Sequence, residues 1–224
     1  LIGGEARKLS EHQAAGKGLC GPILEKAITY AMAVLETNSS MGLIVAAPTA
    51  GACGVVPAVY LTLQEQRQID DERMLEAMYI ASGVGGVIAN RAFLAGAAGG
   101  CQAEIGSASS MAAAGAVYLA GGDTEAIIHA AAMAMKNLLG LACDPVAGLV
   151  EVPCVKRNVV GAVNALSAAD MALAGVRSII PPDEVFDAMR SVGISLPEAI
   201  RETGKGGLAA TTTGQKIAQG LQHE

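Results

Sequence analysis

Tryptophan is absent from the 224 residues and phenylalanine occurs only twice. That excludes a core built on large aromatic rings and leaves no aromatic belt for a membrane boundary. Basic runs are also missing: the net charge is −6, and nothing reads as a phosphate-tracking patch, so no nucleic-acid partner is expected. Leu1 to Ser10 hold no apolar h-region, so no secretory leader is expected. Five cysteines, an odd number, do not make a complete disulfide framework, and none forms a C-x-x-C pair. A reducing, cytoplasmic setting fits them better.

What remains is a chain that is 52% hydrophobic with 28 glycines, its core drawn from Ala, Val, Leu, Ile and Met. This palette suits close helix packing with small residues at the contacts. The stretch from Thr37 to Gln64 carries no charge and is long enough to cross a bilayer. Pro48, Pro57, Gly42, Gly51 and Gly54 interrupt it, so it reads as buried core and no membrane span is expected.

Helical periodicity begins at Pro22 and stops at Thr37-Asn38-Ser39-Ser40. Further helices are expected over 55–66, 107–119, 124–139 and 158–174, and after Pro181-Pro182-Asp183. Asp70 or Asp71, and Asp123, stand as N-caps. The 74–98 segment turns from amphipathic to almost wholly apolar and is expected to be the buried central helix. Residues 1–20 read as an extended arm or surface loop, and the tail from Gly204 as weakly structured. No strand–helix alternation appears, so the expected class is all-α, a helical bundle around one buried apolar helix.

The cysteines are Cys20, Cys53, Cys101, Cys143 and Cys154. Cys101 follows Gly99-Gly100, Cys143 precedes Asp144-Pro145, and Cys154 follows Pro153. These three sit at chain breaks where backbone can wrap a compact ligand, although a free cysteine is also an ordinary buried residue. Cys53 and Cys20 read as packing residues.

The strings GGCQAEIGSASSM (99–111), NLLGLACDPVAGLVEVPCVKRN (137–158), AAPTAGACGVVP (46–57) and RETGKGGLAAT (201–211) resemble those of iron–sulfur L-serine dehydratases. The likeness runs from about residue 20 to the end and is nearest the form with separate α and β chains. It implies a single α domain over 1–224 that lacks part of its N-terminus. It implies that Cys101, Cys143 and Cys154 hold a [4Fe-4S] cluster whose fourth iron is open, as a Lewis acid requires. It also implies a β subunit that completes the active site, and an oligomer.

The implied reaction takes L-serine to pyruvate and ammonia. No lysine and tetraglycine pair for pyridoxal phosphate is present. His12 and His223 sit in terminal segments, and His129 reads as a packed residue of an Ala-rich helix; the resemblance implies that the general base comes from the β subunit. Thr49 and Gly51, in a loop whose N–H groups can meet a carboxylate, and Ser107, Ser109 and Ser110, at a helix start, are candidate substrate contacts. The serines can equally be helix caps. Lys156, Arg157 and Asn158 either offset cluster charge or form a solvated turn. Related lyases acting on L-cysteine or L-threonine, and a helical partner protein without catalysis, are the alternatives.

Overall fold

The computed structural model describes residues 1–221; His223 lies outside them. Ten α-helices carry the described fold: α1 (Glu5–Ala14), α2 (Gly21–Ser39), α3 (Val55–Arg67), α4 (Asp71–Arg91), α5 (Gly96–Gly99), α6 (Ser107–Leu119), α7 (Thr124–Lys136), α8 (Cys154–Leu173), α9 (Pro182–Ser195) and α10 (Thr212–Leu221). No strand occurs among the described residues, so the all-α expectation holds. No helix there is long and apolar enough to cross a membrane.

Local signals set most boundaries. Pro22 lies in the first turn of α2, where its missing N–H costs nothing. Asp70 caps α4 by accepting the Arg73 N–H at 2.9 Å, and Asp123 caps α7 by accepting the Ala126 N–H at 2.8 Å. The uncharged 37–64 stretch breaks as its prolines and glycines demand, into a loop, a 3-10 turn at Ala50–Ala52, and α3.

The central helix is α6, not the 74–98 segment, which corrects the sequence expectation. Every residue of α6 except Tyr118 is buried, and the helix packs against α3, α4, α7 and α8. Helix α4 ends at Arg91 and buries one stripe only, Ala77, Ala81, Gly85 and Ile88. Ala77, Ala81 and Gly85 are small and let α4 approach α6, while Met78 and Tyr79 stay 54% and 70% exposed. An apolar sequence on all sides therefore does not mean cover on all sides.

Both termini depart from expectation as well. Residues 5–14 form α1, whose first N–H groups, on Glu5 and Ala6, donate to the Glu36 carboxylate of α2. Residues 212–221 form α10, started by Thr211 accepting the Gly214 N–H. The first of these caps comes from a distant helix, which no local pattern reveals.

Small residues make α6 possible. The Tyr60 hydroxyl reaches the carbonyls of Ala77 and Met111 at 3.1 and 3.3 Å, and it lies where a Cβ on Gly115 would project. Gly115→Ala is expected to destabilise the fold by about 1–3 kcal/mol through overpacking. Denaturant unfolding measures this, and a change within error would show that α3 and α6 are not packed this closely.

Candidate metal centre

Helix α6 does not begin freely at Ser107. A π-helical turn, Gln102–Gly106, runs into it from Cys101. Gln102 fixes that turn: its Nε2 donates to the Met189 carbonyl at 3.1 Å, and its Oε1 accepts the Gly140 N–H at 2.9 Å. Gly100, at φ 76, makes the sharp entry, with no room for a Cβ beside Leu196 and the Leu141 carbonyl. Cys101 thus sits at a reversal of the chain, as its Gly-Gly flank suggests.

Cys143 is held on the other side by a short parallel bridge. Its N–H donates to the Ile200 carbonyl at 2.8 Å, and its carbonyl accepts the Glu202 N–H at 2.7 Å. Glu202 adopts φ 64, a backbone region that non-glycine residues seldom occupy. Cys154 opens α8 after Pro153. Ala47-Pro48 and Val152-Pro153 are cis.

Cys101, Cys143 and Glu104 each offer one ligand atom, all within 4.8 Å of one another. Cys101 and Cys143 are each 2% exposed and Cys154 7%. Thr49 Oγ1 donates to Glu104 Oε1 at 2.7 Å, and Gly51 lies against the same carboxylate. Arg157 Nη1 donates to the Ala142 carbonyl at 2.7 Å and lies 3.5 Å from Cys101 Sγ, while Nη2 pairs with Asp144 at 2.8 Å. Asn158 Nδ2 donates to the carbonyls of Gly51 and Cys154, and its Oδ1 accepts the Gly54 N–H.

The electrostatics follow from this arrangement. The hydrogen bond from Cys143, with the Arg157 guanidinium beside it and against burial, holds the Cys101 thiol below the usual cysteine range. Cys143, the proton donor of that pair, is pushed strongly up, with burial adding to the shift. Burial and the charge of Cys101 raise the Cys154 thiol to about 12. Burial, reinforced by the Glu202 charge, raises the Glu104 carboxyl against the Thr49 hydrogen bond. Two hydrogen-bonded thiols beside a half-buried carboxylate suit a metal, which replaces protons on such groups. Soft thiolates favour iron–sulfur centres or zinc.

Several sequence candidates land here and others do not. Thr49 and Gly51 reach the group. Of the basic triplet, Arg157 and Asn158 belong to it, whereas Lys156 pairs with Glu5. The helix-cap reading of the serines is corrected, because α6 continues from the preceding π turn and none of the three caps a helix. The Ser109 hydroxyl donates to the Gly161 carbonyl and that of Ser110 to the Ala131 carbonyl, tying α6 to α8 and α7. The Ser107 hydroxyl is buried without a partner among the described residues. His129 accepts the Ser178 N–H, and His12 is exposed. Glu104, Asp144 and Glu202 went unassigned in the sequence. The one available signal was Glu104 three residues after Cys101, on the same helix face.

The family model described as "Serine dehydratase alpha chain" matches residues 1–209. The chain is 54% identical over 217 residues to the "Probable L-serine dehydratase, alpha chain" of Bacillus subtilis (strain 168), covering 97% of this chain and 72% of that one. It is 49% identical over 224 residues to the "L-serine dehydratase, alpha chain" of Peptoniphilus asaccharolyticus, covering 100% and 77%. It is 43% identical over 182 residues to "L-serine dehydratase TdcG" of Escherichia coli (strain K12), covering 80% of this chain and 40% of that protein.

Cys53 and Cys20 separate cleanly. Cys53 is buried among Met32, Leu35 and Val155, and burial raises its thiol to about 11. Cys20 is exposed, so its expected packing role is corrected. Below pH 11 the Cys53 thiol stays protonated and hidden, so maleimide labelling near pH 7.5 should modify Cys20 at once and Cys53 only on unfolding. Peptide mapping checks this; equal labelling would refute the placement of Cys53.

Proposed function

The chain belongs to the serine dehydratase alpha-chain family, and from that we propose that it is the α subunit of a cytoplasmic, pyridoxal-phosphate-independent L-serine ammonia-lyase. L-serine goes to pyruvate and ammonia, and Cys101, Cys143 and Cys154 hold a [4Fe-4S] cluster. The observation that supports this most is the buried Cys101–Cys143 pair, drawn from distant segments, beside Arg157. The thiols are free, which suits a reducing compartment.

When bound, a cluster with one iron not held by cysteine supplies a Lewis acid for the leaving hydroxyl. The chain's own residues do the rest of the positioning. Arg157 stabilises negative charge on the Cys101 sulfur, and Asp144 fixes the guanidinium. Thr49 orients the Glu104 carboxylate through its hydroxyl, and Gly51 leaves room for that carboxylate. The likeness to serine dehydratases with separate α and β chains supports a base of the β subunit for removal of the α-proton.

The β subunit also has a surface to cover. Met41, Leu43 and Val45 are 93%, 97% and 81% exposed, and they lead directly into the loop that carries Thr49 and Gly51. A partner seated there closes the site against water. The relative from E. coli, of which this chain covers 40%, carries further polypeptide beyond the matched part.

Anaerobically reconstituted chain plus β subunit should release pyruvate from L-serine, with slower or no turnover of L-threonine and L-cysteine. Cys101→Ala, Cys143→Ala and Cys154→Ala should each lose most bound iron, and Cys20→Ala none. Full activity after exhaustive chelation and exposure to air would sink the cluster reading. Leu43→Asp should weaken co-purification with the β subunit while leaving the iron content of the α chain unchanged. Undiminished co-purification would place the partner elsewhere.

A further inference from the structure

We propose that Glu104 is a metal ligand, its carboxylate supplying an oxygen donor to the centre formed by Cys101 and Cys143. This rests on the reading of the cysteine group as a metal centre and goes beyond it, because that reading draws its donors from cysteine alone.

The geometry converges on Gly96. A Cβ built there would lie 2.9 Å from Glu104 Oε2, 3.1 Å from Cys143 Sγ and 3.3 Å from Glu202 Oε2. The space left by the missing side chain is thus bordered by a thiol and two carboxylates from three separate segments. Any alanine would fill it.

The two oxygens of Glu104 have different duties. Oε1 accepts the Thr49 hydroxyl at 2.7 Å, which fixes the plane of the carboxylate. Oε2 is turned toward Cys143 over Gly96. A ligating carboxylate held by a hydrogen bond on its other oxygen is the usual outer-shell arrangement of metal sites. Thr49 therefore holds one oxygen, and the other borders the space next to Cys143.

Charge leads to the same place. Glu104 is largely buried, yet no salt bridge to it exists among the described residues. Arg157, the cation at the site, is engaged with Asp144 and Cys101. The charged neighbour that Glu104 does have is Glu202, of the same sign. A buried carboxylate is compensated by a proton, a paired cation or a coordinated metal, and the neighbouring thiols make this a place for a metal. A carboxylate oxygen is also a harder donor than thiolate, and at an iron–sulfur site it exchanges more easily than a further thiolate would.

The test uses the full, metal-free chain under anaerobic conditions, titrated with cobalt(II). A near-ultraviolet thiolate-to-cobalt band reports the sulfurs, and the visible d–d bands report the number and kind of the other donors. The parent chain should show both. Glu104→Gln, which keeps shape and loses the anionic oxygen, should retain the thiolate band and shift the d–d bands. It should bind cobalt more weakly, by about tenfold or more. Glu104→Asp, one methylene shorter, should also weaken binding and alter the d–d bands, and it carries the test if the Gln variant does not fold. Glu202→Gln should leave the spectrum closest to the parent. Parent-like affinity and d–d bands in Glu104→Gln or Glu104→Asp would overturn the proposal while leaving the thiolate centre intact. A parent chain with no thiolate–cobalt band at all would instead remove the metal reading, and this proposal with it.

Discussion

The whole candidate centre hangs on one guanidinium. Arg157 stands one helical turn after Cys154 and touches the Cys101 sulfur, the carbonyl before Cys143 and the carboxylate after it. All three cysteine segments are therefore braced by a single side chain. The fork of an arginine can serve these directions at once, and a lysine cannot. Its pairing with Asp144 is buried, so removing either partner leaves an uncompensated charge. Asp144 is held in turn by the Leu208 N–H at 2.8 Å, which brings the C-terminal region into the same network.

Asn158 does for the backbone what Arg157 does for charge. It accepts the Gly54 N–H and donates to the carbonyls of Gly51 and Cys154, so the 49–54 loop is sewn to the start of α8. Behind these polar anchors lies a core of unusually small side chains around α6. Such packing brings helix axes close and costs little side-chain entropy. The result is a rigid base under an irregular rim, and rigid support is what a ligand set needs.

Periodicity and caps made α3, α6, α7 and α9 legible, because each has a clear start signal or a consistent apolar stripe. They did not reveal which helix is central. Met78, Tyr79 and Val87 give α4 an interior look, but burial depends on neighbours that a single sequence does not display. The termini were missed for a related reason: α1 is started by Glu36, which belongs to another helix. At the site, Gly and Pro flanks singled out three cysteines, and the family likeness gave them a purpose. Glu202 stayed hidden because its place beside Cys143 exists only after the 200–202 segment pairs with the 143 loop.

The π-helical turn has a consequence for how such a centre can arise or be lost. A π turn spends one residue more than an α turn over nearly the same advance, and such bulges gather at functional positions. Each residue added to or removed from a helix rotates what precedes it by about 100°. Between Gln102 and Gly106 the chain therefore contains a phase shift. It sets the direction of Cys101 independently of the register that buries α6. Deleting a single residue there would leave α6 in its groove and swing Cys101 away from Cys143. Core and ligand set are in this sense separately addressable, by a change in length rather than in composition.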